Sequence, residues 1–400
     1  MYIGLICLTV FFALYTGLRL IGPSGLGRGG RFTAWFCLVY AWASIPVEAA
    51  MLRAGIESRA LDVLAFAGAI AFGIAALVLV VLVFRDVLLF AGKSLCFVRT
   101  LSQRLQRISP ERAVADSCGI TDTSRRHFLK SISGTGVMAV AGTFSGSALY
   151  GALRIPPLTD VSIKIAGLHP DLEGYTIVQL SDLHVGASLG VDWLNGVVDA
   201  ANGAGADMIA VTGDMVDGSP AHLWSDIQPF ARLTAPDGVY GVSGNHEFYS
   251  GIERWLPAFE AVGLTMLENR NVMVRRGGAS LLVGGISDYE AVRFGRKYRS
   301  DSRKAMQGGE SADFRLLLAH QPASVYKAHE AGWDAMLCGH THGGQVFPFM
   351  AVVTMVQPYL SGLHDHDGML VYVSRGTGFW GPPFRLGAPA EITRIKLQRV

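Results

Sequence analysis

The sequence predicts an α/β domain that follows an all-α membrane region, and two observations lead to this fold class. Apolar runs occupy most of residues 1–153 of a 400-residue chain. From about residue 174 onward, short β-rich runs alternate with amphipathic helical stretches, as in sheets covered by helices. Half of the residues are hydrophobic and 16% are charged, which is more apolar than an ordinary soluble protein. The formal net charge of +2 gives no global field that would favour nucleic acid as a partner.

Residues 1–92 are predicted to form three transmembrane helices. Their apolar runs cover residues 1–20, 32–52 and 60–84, and each approaches or exceeds the roughly 20 residues that span a hydrocarbon core. Glu48 interrupts the second run and is expected at an interface, because a charge at the bilayer centre is costly. A fourth apolar and glycine-rich run, residues 131–153, predicts a signal or anchor helix.

The basic residues between these runs predict how the chain crosses the bilayer. Cytoplasmic loops carry an excess of Lys and Arg, so the loop with Arg19, Arg28 and Arg31 and the basic segment 93–130 are both expected in the cytoplasm. Both expectations are met if the chain starts outside. Residues 154–400 then lie on the outer, periplasmic side of a bacterial inner membrane.

Residues 124–130 read Ser-Arg-Arg-His-Phe-Leu-Lys and precede the weakly hydrophobic fourth run. They resemble a twin-arginine export signal, which implies the twin-arginine translocation machinery as a partner and export of a folded domain. The alternative is that Arg125 and Arg126 are ordinary positive charges beside the membrane. Such signals normally begin a chain, whereas three predicted spans precede this one, and both alternatives stay open.

Within the predicted domain at residues 154–400, polar residues follow five of seven β-rich runs. The runs cover residues 175–180, 208–211, 239–242, 281–285, 314–319, 335–338 and 369–373, with helical stretches at 191–201, 252–262 and 322–331. Ligands of open α/β sheets bind beyond the carboxyl ends of the strands. The polar residues are therefore expected to meet at one edge of the sheets; they are Asp182, His184, Asp214, Asn245, His246, His320, His340 and His342.

These residue types predict a metal site. In extended backbone, residues i and i+2 project to the same side, so Asp182 and His184 are expected to face one cavity. The two oxygens of Asp214 suit a bridge between two ions about 3.5–4 Å apart. Mixed imidazole, carboxylate and amide ligands suit Mn, Fe or Zn without choosing among them. The five cysteines contain no C-x-x-C pair, so neither a cysteine zinc cluster nor a dithiol redox site is predicted.

The blocks D-x-H, G-D, G-N-H-E, H and G-H-x-H, in this order, resemble the calcineurin-like metallophosphoesterase superfamily. The resemblance covers residues 175–392 and implies an αββα sandwich with two divalent metal ions. His246 corresponds to the general acid of that family or to its transition-state stabiliser. The implied ligands of one ion are Asp182, His184, Asp214 and His342, and those of the other are Asp214, Asn245, His320 and His340.

The resemblance implies a phosphodiesterase or phosphomonoesterase that acts through a metal-bound hydroxide. The membrane anchor favours an envelope or lipid-linked substrate. The tail of the chain resembles a membrane-anchored bacterial branch, and its Arg375 and Arg385 are candidates for binding a substrate phosphate. Pairing of these arginines with Glu391 or a backbone carbonyl is the alternative. Glu247 is expected to orient a neighbouring residue.

A membrane sensor or transport accessory that keeps the fold for binding is the second hypothesis. Loss of a ligand or of His246 would favour that role, and the sequence retains all of them. The enzyme is therefore the first prediction.

Overall fold

The computed structural model describes residues 2–106 and 123–400 and divides into two compact units. The helical unit comprises Met1–Ala49 and Ala67–Ser147. The globular unit comprises Ala50–Phe66 and Ala148–Val400. The short segment Ala50–Phe66 therefore packs with the domain Ala148–Val400, although it is distant from that domain in sequence.

The first four helices are largely apolar, and three of them are long and apolar enough to cross a membrane. They are α1 (Tyr2–Leu20), α2 (Arg28–Arg53), α3 (Arg59–Gln106) and α4 (Thr123–Leu153). Length and composition suffice for a crossing in three segments of the described residues, Arg28–Leu52, Arg59–Arg99 and Gly134–Leu153. The apolar segment of α1, Cys7–Leu20, is shorter than these three segments.

Two of these helices extend beyond the predicted boundaries. Helix α3 runs for 48 residues and includes the start of the basic segment, which was expected to begin at residue 93. That stretch contains no proline and consists mostly of residues that tolerate a helix well, so nothing stops the helix at the end of the apolar run. Helix α4 already begins at Thr123, so its first turns contain the predicted export motif. Residues 107–122 of the basic segment lie outside the described residues.

The globular unit contains two six-stranded sheets. The first has the order β1-β12-β2-β3-β4-β5 and the second the order β10-β11-β9-β8-β7-β6. Strands β2 to β5 are parallel to one another, as are β7, β8, β9 and β11. The strands are β1 (Leu158–Ile165), β2 (Thr176–Leu180), β3 (Met208–Thr212), β4 (Val239–Val242), β5 (Thr265–Met266), β6 (Arg270–Arg276), β7 (Ala279–Gly285), β8 (Phe314–Leu318), β9 (Ala335–Cys338), β10 (Gly362–His366), β11 (Met369–Val373) and β12 (Ile392–Arg399).

Helices cover the outer faces of both sheets, which gives the predicted αββα sandwich. These helices are α5 (Val191–Gly203), α6 (Pro220–Ile227), α7 (Asn245–Tyr249), α8 (Ile252–Ala261), α9 (Ser302–Met306), α10 (Val325–Ala331) and α11 (Met350–Val353). The apolar core between the sheets includes Ile177 and Leu316. A second core packs the first sheet against α5 and α8, and a third packs the second sheet against α9 and α10.

The segment between α2 and α3 is hydrogen-bonded to the rest of the globular unit. The Glu57 carboxylate accepts bonds from the Ser219 backbone N–H at 2.8 Å and from its hydroxyl at 2.5 Å. The adjoining first turn of α3 makes a further contact, in which Asp62 Oδ2 lies 2.9 Å from His222 Nε2. Ser219 caps α6, so this segment is attached at the start of a helix that follows the β3 loop.

Candidate metal centre

All seven predicted metal ligands lie at the edge where the parallel strands of both sheets end. Asp182 and His184 follow β2, and Asp214 follows β3. The other ligands lie in the turns after β4, β8 and β9; they are Asn245, His320, His340 and His342. The side chains of six of the seven are buried, and His340 is half-buried.

One group of donor atoms is formed by Asp182, His184 and His342, whose ligand atoms all lie within 4.8 Å of one another. His184 Nε2 is 3.2 Å from His342 Nε2. His342 Nε2 is in turn 3.4 Å from Asp182 Oδ1. Two imidazole nitrogens and a carboxylate oxygen thus converge on one point, which is an arrangement that a divalent ion such as zinc or manganese favours.

A second group is formed by Asp214, His320 and His340. His320 Nε2 lies 3.1 Å from Asp214 Oδ2 and 3.1 Å from His340 Nδ1. The amide oxygen of Asn245 is 3.2 Å from the same His320 nitrogen. The Nδ1–H of His320 donates to the Thr212 carbonyl at 2.9 Å, which leaves the Nε2 lone pair directed at the group.

Asp214 joins the two groups. Its Oδ2 lies 3.1 Å from His320 Nε2 in the second group and 3.8 Å from His184 Nε2 in the first. A carboxylate that faces both groups is the ligand a two-ion site requires. The buried donor set therefore fits a dinuclear divalent metal centre, and its mixed nitrogen and oxygen ligands do not select one metal.

The backbone at the ligands differs from the sequence prediction. Asp182, His184, Asp214, His340 and His342 all have positive φ, between 49° and 71°, whereas extended backbone was expected. Non-glycine residues rarely adopt this left-handed region, and it concentrates at functional sites. The side chains of each pair lie close together, as expected. They do so because the chain turns sharply at these residues, and the extended backbone that the sequence analysis assumed is wrong.

Two glycines allow these turns to pack closely. A Cβ on Gly339 would lie 2.0 Å from Ser181 Oγ and 2.2 Å from Asp182 Oδ2. A Cβ on Gly244 would lie 2.2 Å from Asp214 Oδ1. A side chain at either position would displace a predicted ligand, so only glycine fits here.

The sequence of residues 175–344 matches the calcineurin-like phosphoesterase family. An uncharacterized metallophosphoesterase of Helicobacter pylori is 37% identical over 277 residues, which cover 68% of this chain and 72% of that protein. Identity and coverage at this level, together with the family match, decide the family. The chain is a calcineurin-like metallophosphoesterase. Domains of this family hydrolyse phosphoric esters, so the chain is an enzyme of that class.

Two further relatives of this metallophosphoesterase differ in their length. A bovine transmembrane protein with a metallophosphoesterase domain is 32% identical over 76% of this chain and 70% of its own length. An uncharacterized metallophosphoesterase of Bacillus subtilis is 30% identical and aligns over 98% of its own length but 69% of this chain. The first of these supports a membrane-associated branch of the family.

Asp217 of this metallophosphoesterase is a site residue that the sequence prediction missed. Its Oδ2 lies 3.1 Å from His184 Nδ1, and its Oδ1 lies 2.5 Å from His246 Nδ1. Burial opposes ionisation of Asp217, but the two histidines lower the pKa of its carboxyl below the ordinary value. Its position three residues after Asp214 was the available signal, and the turn after β3 brings it back to the site.

His246 lies at the exposed side of the centre, with its Nε2 3.9 Å from Asp214 Oδ2. Burial opposes protonation of His246, but the negative charges of Asp217 and Asp214 outweigh it and raise the pKa of the imidazole to about 9.

Glu247 is fully buried beneath the centre and holds its loops. Its carboxylate accepts backbone N–H bonds from Asp214 at 3.0 Å, Met215 at 2.7 Å and Gly244 at 2.7 Å. These bonds fix the loop that carries Asp214 against the start of α7, which agrees with the orienting role predicted for it.

The two tail arginines make the structural contacts that were the alternative to phosphate binding. Arg375 forms a salt bridge with Glu391, and its Nε lies 2.8 Å from Glu391 Oε2. Arg385 is buried and donates to the carbonyls of His342 at 3.0 Å and Gly378 at 3.1 Å. Both side chains thus order the turns beside the centre, and a role in substrate binding stays a prediction.

An open cleft of about 570 Å³ adjoins the second ligand group. Asn245 and His340 form its inner wall. The remaining wall is aromatic, polar and aliphatic, formed by Tyr249, Tyr289, Glu290, Gln321, Ala323, Tyr326, Met355, Val356, Gln357 and Pro358. A phosphoester bound at the ligands would therefore extend its organic part into this cleft.

Proposed function

We propose that this metallophosphoesterase hydrolyses phosphoesters at a dinuclear centre in which Asp214 bridges two divalent ions. The convergence of two ligand groups on this one carboxylate carries the proposal. In this assignment one ion is held by Asp182, His184, Asp214 and His342, and the other by Asp214, Asn245, His320 and His340.

The ions would supply Lewis-acid chemistry, because two divalent cations acidify a coordinated water and neutralise phosphate oxygens. The chain sets the charge of the site around them. Asp182 and Asp214 contribute two negative charges against the four positive charges of two divalent ions, and the imidazoles and Asn245 contribute none. The site therefore stays cationic and attracts an anionic phosphoester.

His246 is assigned the role of general acid. Its Nδ1 is held by Asp217, so its Nε2 faces the centre with a proton available for a leaving alkoxide. The Asp217 carboxylate beside Nδ1 favours a proton on this ring before reaction. Asp217 orients His246 and also His184, which couples the acid to one metal ligand.

We also propose that the substrate is an envelope or lipid-linked phosphoester on the outer side of a bacterial inner membrane. The basic loops support this orientation. The hydrogen bonds that Ser219 donates to Glu57 agree with the crossing pattern of this orientation. They require the α2–α3 loop and the globular unit to lie on the same side, and two candidate spans, α3 and α4, separate them. Export through the twin-arginine machinery is the corresponding route, supported by the motif at residues 124–130.

Hydrolysis of bis-p-nitrophenyl phosphate by the full chain in detergent, with and without added Mn²⁺, tests the proposed function. We expect metal-dependent turnover in the wild type and its loss in Asp214→Asn. Asp199→Asn is the matched control, because Asp199 lies on the surface of α5 in an ion pair with Arg232. Absence of turnover on this diester and on p-nitrophenyl phosphate by the metal-loaded wild type would contradict the proposal.

A further inference from the structure

An uncharged and exposed segment follows the last two predicted ligands. Residues 343–363 contain no Asp, Glu, Lys or Arg. Within them, Phe347 is 56% exposed, Met355 is 81% exposed and Val356 is 72% exposed. Phe349 and Val352 are exposed as well. We call residues 347–356 the apolar lip. A contiguous exposed apolar surface of this kind indicates a contact that the isolated domain does not make.

One end of the apolar lip reaches the cleft beside the metal centre, whereas Phe349 and Val352 do not line this cleft. Met355 and Val356 line the cleft together with Tyr249 and His340. Trp380 lies on the same side of the site, where its ring centroid is 6.3 Å from that of His246, and it is half exposed. A substrate that reaches the ligands therefore passes along an apolar edge.

The lip also lies next to the end of the last candidate membrane span. The Phe347 N–H donates to the Leu386 carbonyl at 2.9 Å, and the Arg385 N–H donates to the Ala148 carbonyl at 3.0 Å. Ala148 belongs to the span Gly134–Leu153. Two backbone hydrogen bonds thus connect the lip, through the adjacent residues Leu386 and Arg385, to Ala148 near the end of that span.

The α2–α3 loop also attaches to the globular unit near the metal centre. Glu57 binds Ser219, which lies two residues beyond Asp217. Arg385, which contacts Ala148, also lies 3.1 Å from His342 Nδ1. Two segments continuous with candidate spans therefore contact the globular unit close to the metal centre.

A stretch rich in basic residues, which we call the basic rim, begins at the cleft residue Glu290. Residues 290–304 contain six basic residues and two acidic ones, Glu290 and Asp301. All six basic residues are exposed. Exposed Phe294 in this stretch packs against Tyr249 of the cleft, with ring centroids 5.8 Å apart. Basic residues beside exposed aromatic rings suit the headgroup region of an anionic bilayer.

We propose that the apolar lip and this basic rim bind the surface of an anionic phospholipid bilayer. The cleft that both of them reach then opens onto the lipid headgroups. The preferred substrate class is a phosphoester whose apolar part remains in the bilayer while its phosphate reaches the metal centre. This substrate class rests on the proposed hydrolase function, whereas the membrane contact itself does not.

Photocrosslinking of the full chain tests the membrane contact without any need for turnover. Benzoylphenylalanine replaces Phe349 of the lip in one variant and Met273 of β6 in the other. Met273 is a matched apolar control, because it is 37% exposed on the edge strand of the second sheet. Each variant is irradiated in nanodiscs of phosphatidylethanolamine and phosphatidylglycerol, and lipid adducts are measured by intact mass. We expect adducts at position 349 and none at 273. No adduct at 349, or equal yields at both positions, would overturn the inference.

Two diesters with the same reacting bond test the substrate class. Turnover of hexadecyl p-nitrophenyl phosphate in the nanodiscs is compared with that of soluble bis-p-nitrophenyl phosphate. We expect Phe349→Ser/Val352→Ser to lower kcat/KM for the hexadecyl ester about tenfold, since two apolar side chains lose their burial in lipid. The soluble ester should be cleaved at the wild-type rate. Equal losses on both esters, or wild-type turnover of both, would overturn the substrate class. No turnover of either ester by the wild type would instead contradict the hydrolase proposal, and the crosslinks would still decide the membrane contact.

Discussion

Asp217 contacts two histidines with different roles, so its substitution separates orientation from metal binding. Asp217→Asn keeps a hydrogen-bond acceptor near His184 and His246 but removes the charge that holds both rings. We expect turnover at saturating Mn²⁺ to fall about 10–100-fold, as for other groups that orient metal ligands. The same assay on Asp199→Asn should give wild-type rates. Unchanged turnover in Asp217→Asn would show that the rings are positioned without it.

His246 is adjacent to the ligand Asn245 but is expected to move a proton rather than to bind metal. His246→Ala should lower turnover by roughly 10²–10⁴-fold, the range for one acid–base group. Metal content, measured by elemental mass spectrometry on the same sample, should remain that of the wild type. The control is His329→Ala, because His329 is exposed on α10. Metal loss in His246→Ala would make this residue a ligand or a structural support instead.

At the scale of elements, the turn after β9 is the part of the site least tolerant of added volume. Gly339→Ala would press a methyl group against Ser181 and Asp182. We expect a loss of about 1–3 kcal/mol in the free energy of unfolding, the usual cost of overpacking, together with reduced metal content. Gly203→Ala at the end of α5 is the matched control, since nothing lies within 4 Å of its added Cβ. Thermal unfolding of both variants measures the difference, and equal melting temperatures would contradict this account of the turn.

The strands that the sequence predicted are those that are buried on both faces. Strands β3 and β9 are buried at every residue, and parallel strands between two layers consist of continuous apolar runs. The strands that were missed are β1, β5, β6, β10 and β12. Of these, β6 and β12 include several basic residues, and β5 has two residues. Their pairing is decided by partners distant in sequence, such as β1 with β12, which no local pattern reveals.

The candidate ligands were predictable because each directly follows an apolar run that ends at the same edge. Their backbone was not, because a left-handed φ at Asp182 or His340 depends on the loops packed around it. Asp217 was missed for a related reason. Only the turn that follows Asp214 aims its carboxylate at His184 and His246, and that turn is stabilised by Glu247 from another loop.

At the scale of the whole molecule, the proposed orientation in the bilayer would decide which substrates reach the site. Cysteines introduced one at a time at Leu26, Ile56 and Arg275, in a chain without its native cysteines, test it by maleimide labelling of intact cells. We expect labelling at 56 and 275 from outside, because both belong to the globular unit, and labelling at 26 only after permeabilisation. Labelling at 26 from outside with protection of 56 and 275 would invert the proposed topology.

The central claim is that Asp214 organises two metal ions in one site. The most direct measurement is the number of ions per full-length chain, by elemental mass spectrometry after loading with Mn²⁺ and removal of the free ion. The account predicts two ions in the wild type and fewer in Asp214→Asn, since its carboxylate faces both ligand groups. A single ion in the wild type, or an unchanged count in Asp214→Asn, would contradict it.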